Sequence, residues 1–321
     1  MDATRPAATR ISYENMDSQR DSINSTGRTS RISILPFTYE EGSLSQRAAG
    51  APTLSYQLAL PADAVAGVLV LHGYGEHGGR YRRVIERWAK AKVASAVVDF
   101  RGHGWSAGDR GHCESFADYL EDAADMLATF RERLIEVAGA NVPLFVMGHS
   151  FGGLVAAHFA LTMPGAFRGL VLSSPFFGLH LEVASAKRAA GEIASRIFPR
   201  LSLPSGISGK DVTRDETIAR QYDNDPLVNK VANARWFTEA QIAQRDLLAR
   251  AAQLKLPVLV VQAGADRVAS AAASRAVFDR IGSADKKFDE RTGLYHEVLN
   301  EPGAGEQITD EMSAWVVEHA K

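Results

Sequence analysis

The stretch Pro143-Leu144-Phe145-Val146-Met147-Gly148-His149-Ser150-Phe151-Gly152-Gly153-Leu154-Val155-Ala156-Ala157-His158-Phe159-Ala160 decides the fold. Pro143 to Met147 is an apolar run that reads as a parallel strand buried on both faces. From Gly153 onward, small and apolar residues read as a helix. Between the two lies Gly148-x-Ser150-x-Gly152. On a sharp strand-to-helix turn this spacing holds the serine in a strained conformation with its hydroxyl above the sheet. Glycines flank it because side chains there would collide across the turn. The helix N-terminus behind the serine offers backbone N–H groups to a developing oxyanion.

Outward from that turn, strand-length apolar runs alternate with helical patterns from about residue 52. Leu54 to Leu60 alternates like an outer strand, whereas Val68-Leu69-Val70-Leu71 is continuous and ends in His72-Gly73, as a central strand does. A helix is expected over Arg80 to Lys92, a strand over Ala94 to Phe100, and a long helix from Ser115 through Val137, with Ser115 and Asp118 as a capping-box variant. Leu170-Val171-Leu172 gives the strand after Ser150. Pro257 to Val261 and Lys286 to Glu290 give the last two, before a helix at about 304–320. This rhythm predicts an α/β fold, with a mostly parallel central sheet flanked by helices.

Between Pro175 and about Gln253 the rhythm breaks into Ala-rich helical segments, with Pro199, Pro204 and no convincing strand. The expected organisation is a core of residues 33–174 and 254–321, a helical cap inserted at 175–253, and a mobile tail at 1–32 rather than a strand. Ligands of open parallel sheets lie at the carboxyl ends of the strands, which a cap would roof. Phe176, Phe177, Leu179, Leu181, Ile193, Ile197 and Phe198 are the apolar residues suited to lining an acyl path, although helix packing explains most of them equally well.

A serine hydroxyl needs a base to take its proton, and the base needs an orienting acid. In this topology the chain order is serine, acid, histidine, each on a loop after a strand. Asp266, after the Pro257 strand, and His296, after the last strand, fit that order. The alternatives are weaker. Asp266 as a helix N-cap before Ser270 ignores the order, and Asp289 sits inside a strand too close to His296. His149 points away from its neighbour and bonds backbone, His72 reads as a structural group, and His103 organises its own loop. The oxyanion donors are placed at the backbone N–H of Phe151 and of Tyr74, the latter aimed by Gly73 and Gly75.

Composition bounds the rest. The chain has 321 residues, 45% of them hydrophobic, and a net charge of −2 with acids and bases interspersed. It carries no clustered basic face of the kind that nucleic acid requires. Cys113 is the only cysteine, so no internal disulfide forms, and it reads as a loop thiol without a role. Residues 1–32 contain no apolar segment of signal-peptide length, and Glu14, Asp17 and Asp21 argue against a transit peptide. No apolar run is long enough to span a membrane. The expectation is a cytoplasmic protein without metal or cofactor, since no ligand cluster has suitable spacing.

Taken together, these residues resemble the α/β-hydrolase superfamily, and within it the monoacylglycerol lipase and lysophospholipase group with its serine aminopeptidase S33-type domain. The resemblance runs from about residue 50 to the C-terminus. It rests most on His72-Gly73-Tyr74-Gly75-Glu76-His77-Gly78-Gly79-Arg80-Tyr81, close to that group's His-Gly-x-Gly-Glu-His loop. Asp99-x-Arg101-Gly102-His103-Gly104-Trp105-Ser106, the Ser150 motif, Tyr222-Asp223-Asn224-Asp225-Pro226-Leu227, Asp266-Arg267 and Tyr295-His296-Glu297 continue it. It implies Ser150, Asp266 and His296 as the triad and Tyr74 and Phe151 as oxyanion donors. Glu76, Arg80 and Tyr222 become candidates for the substrate's head group, although Arg80 could simply brace a helix and Glu76 its own loop. The implied activity is hydrolysis of a lipid ester with one acyl chain and a small polar head, a monoacylglycerol before a lysophospholipid or a general carboxylic ester. A non-catalytic binding protein is disfavoured by the complete triad. The implied partners are a small lipid ester and, through the cap, a transient membrane contact; no oligomeric state is implied.

Overall fold

The computed structural model describes residues 30–32, 37–45, 50–139, 141–180 and 195–321. Its strands are β1 (Ser30–Ile32), β2 (Thr38–Leu44), β3 (Leu54–Leu60), β4 (Ala66–Leu71), β5 (Val93–Val98), β6 (Leu144–His149), β7 (Gly169–Ser173), β8 (Ser202–Pro204), β9 (Val231–Asn233), β10 (Val258–Ala263) and β11 (Lys286–Arg291). Nine of them form one sheet in the order β1-β2-β3-β5-β4-β6-β7-β10-β11. The pairings from β1 to β5 are antiparallel, and those from β5 through β4 to β11 are parallel. Strands β4, β5, β6, β7 and β10 are buried along their whole length, which is why their sequences are continuously apolar.

The helices are α1 (Arg82–Lys90), α2 (Ala117–Ala138), α3 (Phe151–Thr162), α4 (Gly209–Val212), α5 (Glu216–Asn224), α6 (Ala234–Arg250), α7 (Ala271–Arg280) and α8 (Gly305–His319). They cover both faces. Val84, Ile85 and Trp88 of α1 join Ile308, Met312 and Val316 of α8 on one face. Helices α2, α3, α6 and α7 bury Phe130, Leu154, Leu247 and Val277 against the other. Strands β5 and β6 lie on opposite sides of β4. The crossovers therefore diverge there, and a crevice opens at the carboxyl ends of β4 and β6, where Ser150 sits.

Four expectations change. The segment over Arg80 to Lys92 is two pieces, a 3₁₀ turn at Gly78–Tyr81 and then α1. The capping box at Ser115 is half made: Asp118 accepts from the Ser115 N–H at 3.2 Å, but the Ser115 hydroxyl accepts from Ala117 rather than from the third helical residue. Ser30–Ile32, expected in the tail, pair antiparallel with β2, while residues 1–29 lie outside the described residues. The region read as strandless holds β8 and β9, a separate antiparallel pair. Among the described residues, none between β7 and β10 joins the main sheet.

Candidate active site

Ser150 stands between β6 and α3 with φ 52° and ψ −121°, a backbone conformation unusual for a residue with a side chain. Packing enforces it. A Cβ on Gly152 would lie 2.0 Å from the Leu71 carbonyl oxygen, and one on Gly148 would lie 2.1 Å from the Gly152 oxygen. The turn is also tied across the sheet. Ser150 N–H donates to Ser173 O at 3.0 Å, and Phe176 N–H donates to Ser150 O at 2.8 Å. Phe151 N–H is the first of α3, and the first N–H groups of a helix have no acceptor within it.

Asp266 and His296 arrive on the loops after β10 and β11 and meet. His296 Nδ1 donates to Asp266 Oδ2 at 2.8 Å, and both residues are buried. Asp266 Oδ1 accepts from Val268 N–H and Ala269 N–H, each at 2.8 Å. Gln262 Nε2 also donates to Oδ2 at 3.4 Å, so the carboxylate is held by four donors. Burial alone would raise its pKa, but His296 and the two backbone donors bring it below the ordinary value. Burial opposes a charged His296, yet Asp266, Glu297 and Glu76 leave its pKa raised. The N-cap of α7 is Ser270, not Asp266. Asp289 lies in β11, paired with Arg291 at 2.7 Å.

The rival histidines are occupied elsewhere. His149 Nδ1 lies 3.0 Å from Ser173 O, and burial, then the neighbouring His296, push its pKa down to about 4. Its ring nonetheless abuts that of His296, with centroids 4.8 Å apart, which brings the base beside the residue preceding Ser150. His72 Nε2 accepts from Phe100 N–H at 3.0 Å, and His103 Nδ1 donates to Arg101 O at 2.9 Å. Both are structural, and burial lowers the pKa of each.

The His72–Tyr81 loop closes the other side of Ser150. A Cβ on Gly73 would come within 3.1 Å of the Ser150 Cβ. Gly73 N–H is committed to Glu76 Oε1 at 2.6 Å, which leaves Tyr74 as the next amide in the loop. Glu76 Oε1 also accepts from Tyr81 OH at 2.7 Å. Arg80 reaches Glu297 Oε2 at 2.5 Å and Glu76 Oε2 at 3.4 Å, with its guanidinium 4.8 Å from the centre of the Tyr222 ring. The three head-group candidates therefore do assemble, around a buried cation held by two carboxylates. Burial works against the charge of Glu76, but His149, Arg80, His72 and the Tyr81 hydroxyl hold its pKa down at about 2. Glu297, beside a second carboxylate in a buried place, is raised. Sequence reasoning passed over Glu297, although its place next to His296 was the available signal.

The Tyr222–Leu227 motif fastens this loop from above. Asp225 Oδ2 lies 2.9 Å from His77 Nε2, and Asn229 N–H donates to Gly75 O at 2.7 Å. Of the apolar residues read as acyl lining, Phe176 and Phe177 are buried. Ile197 and Phe198 are not: they are 63% and 64% exposed, because the segment carrying them faces outward. Leu181 and Ile193 lie outside the described residues.

The mainly parallel sheet, the strained Ser150 turn and the Asp266–His296 pair on successive strand ends define an α/β-hydrolase. More narrowly, the sequence pattern of the serine aminopeptidase S33 family matches residues 62–303, and the chain belongs to that family. It is 32% identical over 275 residues to a monoacylglycerol lipase of Mycolicibacterium smegmatis, covering 84% of this chain and 95% of the relative. It is 33% identical over 243 residues to the phospholipase YtpA of Bacillus subtilis, covering 74% of this chain and 90% of that one. The crystal structure of Paleococcus ferrophilus monoacylglycerol lipase superposes with a TM-score of 0.70 at 31% identity, over 79% of this chain and 94% of that chain.

Proposed function

We propose that this protein is a serine ester hydrolase that cleaves monoacylglycerols to fatty acid and glycerol through an acyl-enzyme. Ser150 Oγ attacks the ester carbonyl while His296 takes its proton. Asp266 holds the imidazole with Nδ1 protonated, so that Nε2 is the basic atom. The N–H groups of Phe151 and Tyr74 receive the oxyanion. His296 then protonates the departing glycerol, and water, activated by the same histidine, releases the fatty acid. The buried Asp266–His296 hydrogen bond beside the strained Ser150 turn is the observation that carries this reading.

The choice of lipid follows from the relatives and from charge. Relatives named monoacylglycerol lipase support a single-chain ester, with Glu76, Arg80 and Tyr222 on the head-group side. The relative named a phospholipase supports a second reading, a lysophospholipid. Arg80, however, is already neutralised by Glu76 and Glu297, so a phosphate would meet a cation with its charge spent. A neutral glycerol suits that surrounding better. We read residues 175–253 as the cap of a core formed by 33–174 and 254–321. Exposed Ile197, Phe198, Leu201 and Leu203, beside exposed Arg196 and Arg200, support transient contact of the cap with a lipid surface. No described helix is long and apolar enough to cross a membrane. Cys113 being the only cysteine supports placing the enzyme in the cytoplasm.

Wild type and Ser150→Ala assayed side by side on monoacylglycerols, a lysophospholipid, di- and triacylglycerols and a short aryl ester test this. Serine-dependent preference for monoacylglycerol is the expected result, with Ser150→Ala slowed by at least about 10³-fold. Hydrolysis confined to the aryl ester would remove the lipid assignment, and hydrolysis undiminished in Ser150→Ala would remove the mechanism.

A further inference from the structure

Ser150 is itself buried. The loop after β4 and the loop after β7 are bridged by stacked rings. Tyr74 lies on Trp236 with centroids 3.4 Å apart and planes 18° apart. Phe176 lies near-parallel to the same indole, with centroids 6.2 Å apart. Phe151, next to the nucleophile, meets Trp236 edge-on at 5.4 Å. Both bridged loops touch Ser150, one through Gly73 and the other through the Phe176 N–H. The stack therefore joins the two loops that flank Ser150.

The four rings are not equally free. Tyr74 OH donates to Gly111 O at 2.9 Å and accepts from Asn233 N–H at 3.2 Å. Phe151 is fixed in the strained turn, and the backbone around Phe176 is held by Ser150 O and by the Gln244 side chain. Trp236 has no such tether. It lies in the first turn of α6, and its Nε1–H is buried without an acceptor among the described residues, although the residue is only 6% exposed. A buried donor left unpaired is costly, so the closed stack is the easier to open.

We propose that Trp236 is the specificity-determining gate of this site: its indole closes the acyl path over Ser150 and must swing aside for any chain longer than a few carbons. The proposal rests on Ser150 being the nucleophile. The moved indole then forms a wall of the acyl path, and its N–H meets water or an oxygen of the ligand. A short acyl group does not reach the stack and is indifferent to it.

The test is hydrolysis of p-nitrophenyl esters from acetate to palmitate, and of monoacylglycerols from eight to eighteen carbons, by wild type, Trp236→Phe and Trp236→Ala. In Trp236→Ala the ratio of long-chain to acetyl kcat/KM rises about tenfold, with acetyl hydrolysis within about threefold of wild type. Trp236→Phe, which keeps a ring in the stack, stays close to wild type. A ratio unmoved in a Trp236→Ala protein that still reacts with an active-serine probe overturns the gate. Should Trp236→Ala not fold, the wild type decides. Labelling Ser150 with a dodecyl phosphonate changes indole emission, a methyl phosphonate does not, and the difference vanishes in Trp236→Phe. Equal emission with both labels overturns the gate. The substrate reading fails separately: an enzyme that cleaves the aryl series but no monoacylglycerol loses that assignment, while the aryl series still reports on Trp236.

Discussion

Glu297 follows His296 in sequence and is the partner of Arg80 in space, so one side chain links the two halves of the site. Asn300 Nδ2 donates to its Oε2 at 2.9 Å, and its own N–H donates to Val212 O at 2.8 Å. The side chain is thus fixed close to His296, and its negative charge is among the influences that raise the histidine's pKa against burial. A base must be neutral to accept the serine proton. The acid limb of the kcat/KM profile is accordingly expected above the ordinary histidine value of about 6.5. Glu297→Gln removes a negative charge and leaves Arg80 less compensated, and both changes disfavour the imidazolium. The limb should move to lower pH by about half a unit to one unit. Profiles of both proteins on a soluble aryl ester measure this, and a limb that stays in place would mean that Glu297 carries no charge when His296 titrates.

The decisive element is the β6–α3 turn. Gly152 is required by a contact rather than by its own backbone angle, because its Cα faces the end of β4 at contact distance. Gly152→Ala drives a methyl into the Leu71 and His72 carbonyl oxygens. We expect a destabilisation of about 3 kcal/mol or more, with loss of serine labelling, since the strand and the helix must part. A urea midpoint unchanged from wild type would contradict this. Elements in continuous apolar runs were legible because burial on both faces demands such residues: β4, β6, β7 and β10 fall where the sequence puts them. Strand β2 escaped notice because its period is broken by Glu40, a carboxylate that faces the interior and is buried against Arg133 at 2.9 Å. β8 and β9 are three residues each, too short for a period to show.

At the scale of the whole molecule the segment 175–253, which we propose as a cap, is joined to the rest by specific polar contacts, not only by packing. Arg214 meets the buried Glu301, Asn229 Nδ2 donates to Gly102 O at 3.1 Å, and His158 Nε2 donates to Ala243 O at 2.9 Å. Ile197, Phe198, Leu201 and Leu203 of this segment are exposed. Replacing Phe198 and Leu203 by Asp should leave hydrolysis of a soluble aryl ester within about twofold. Sedimentation with anionic vesicles should fall several-fold, because apolar insertion and attraction to the surface are both weakened. Vesicle binding equal to wild type would show that another face, or none, meets lipid.

Read alone, the sequence determined what depends on neighbours along the chain. It set the strand–turn–helix around Ser150, the placing of Asp266 and His296 after successive strands, and the alternation that builds a parallel sheet. Each of these follows from local sterics or from burial on both faces, which leave a mark at fixed spacing. The tertiary structure alone decided which distant groups meet. It placed Glu297 against Arg80, turned Ile197 and Phe198 outward, and laid Trp236 across Tyr74. Those contacts join residues tens to hundreds of positions apart, and no period or motif records them because they arise only when separate elements are packed.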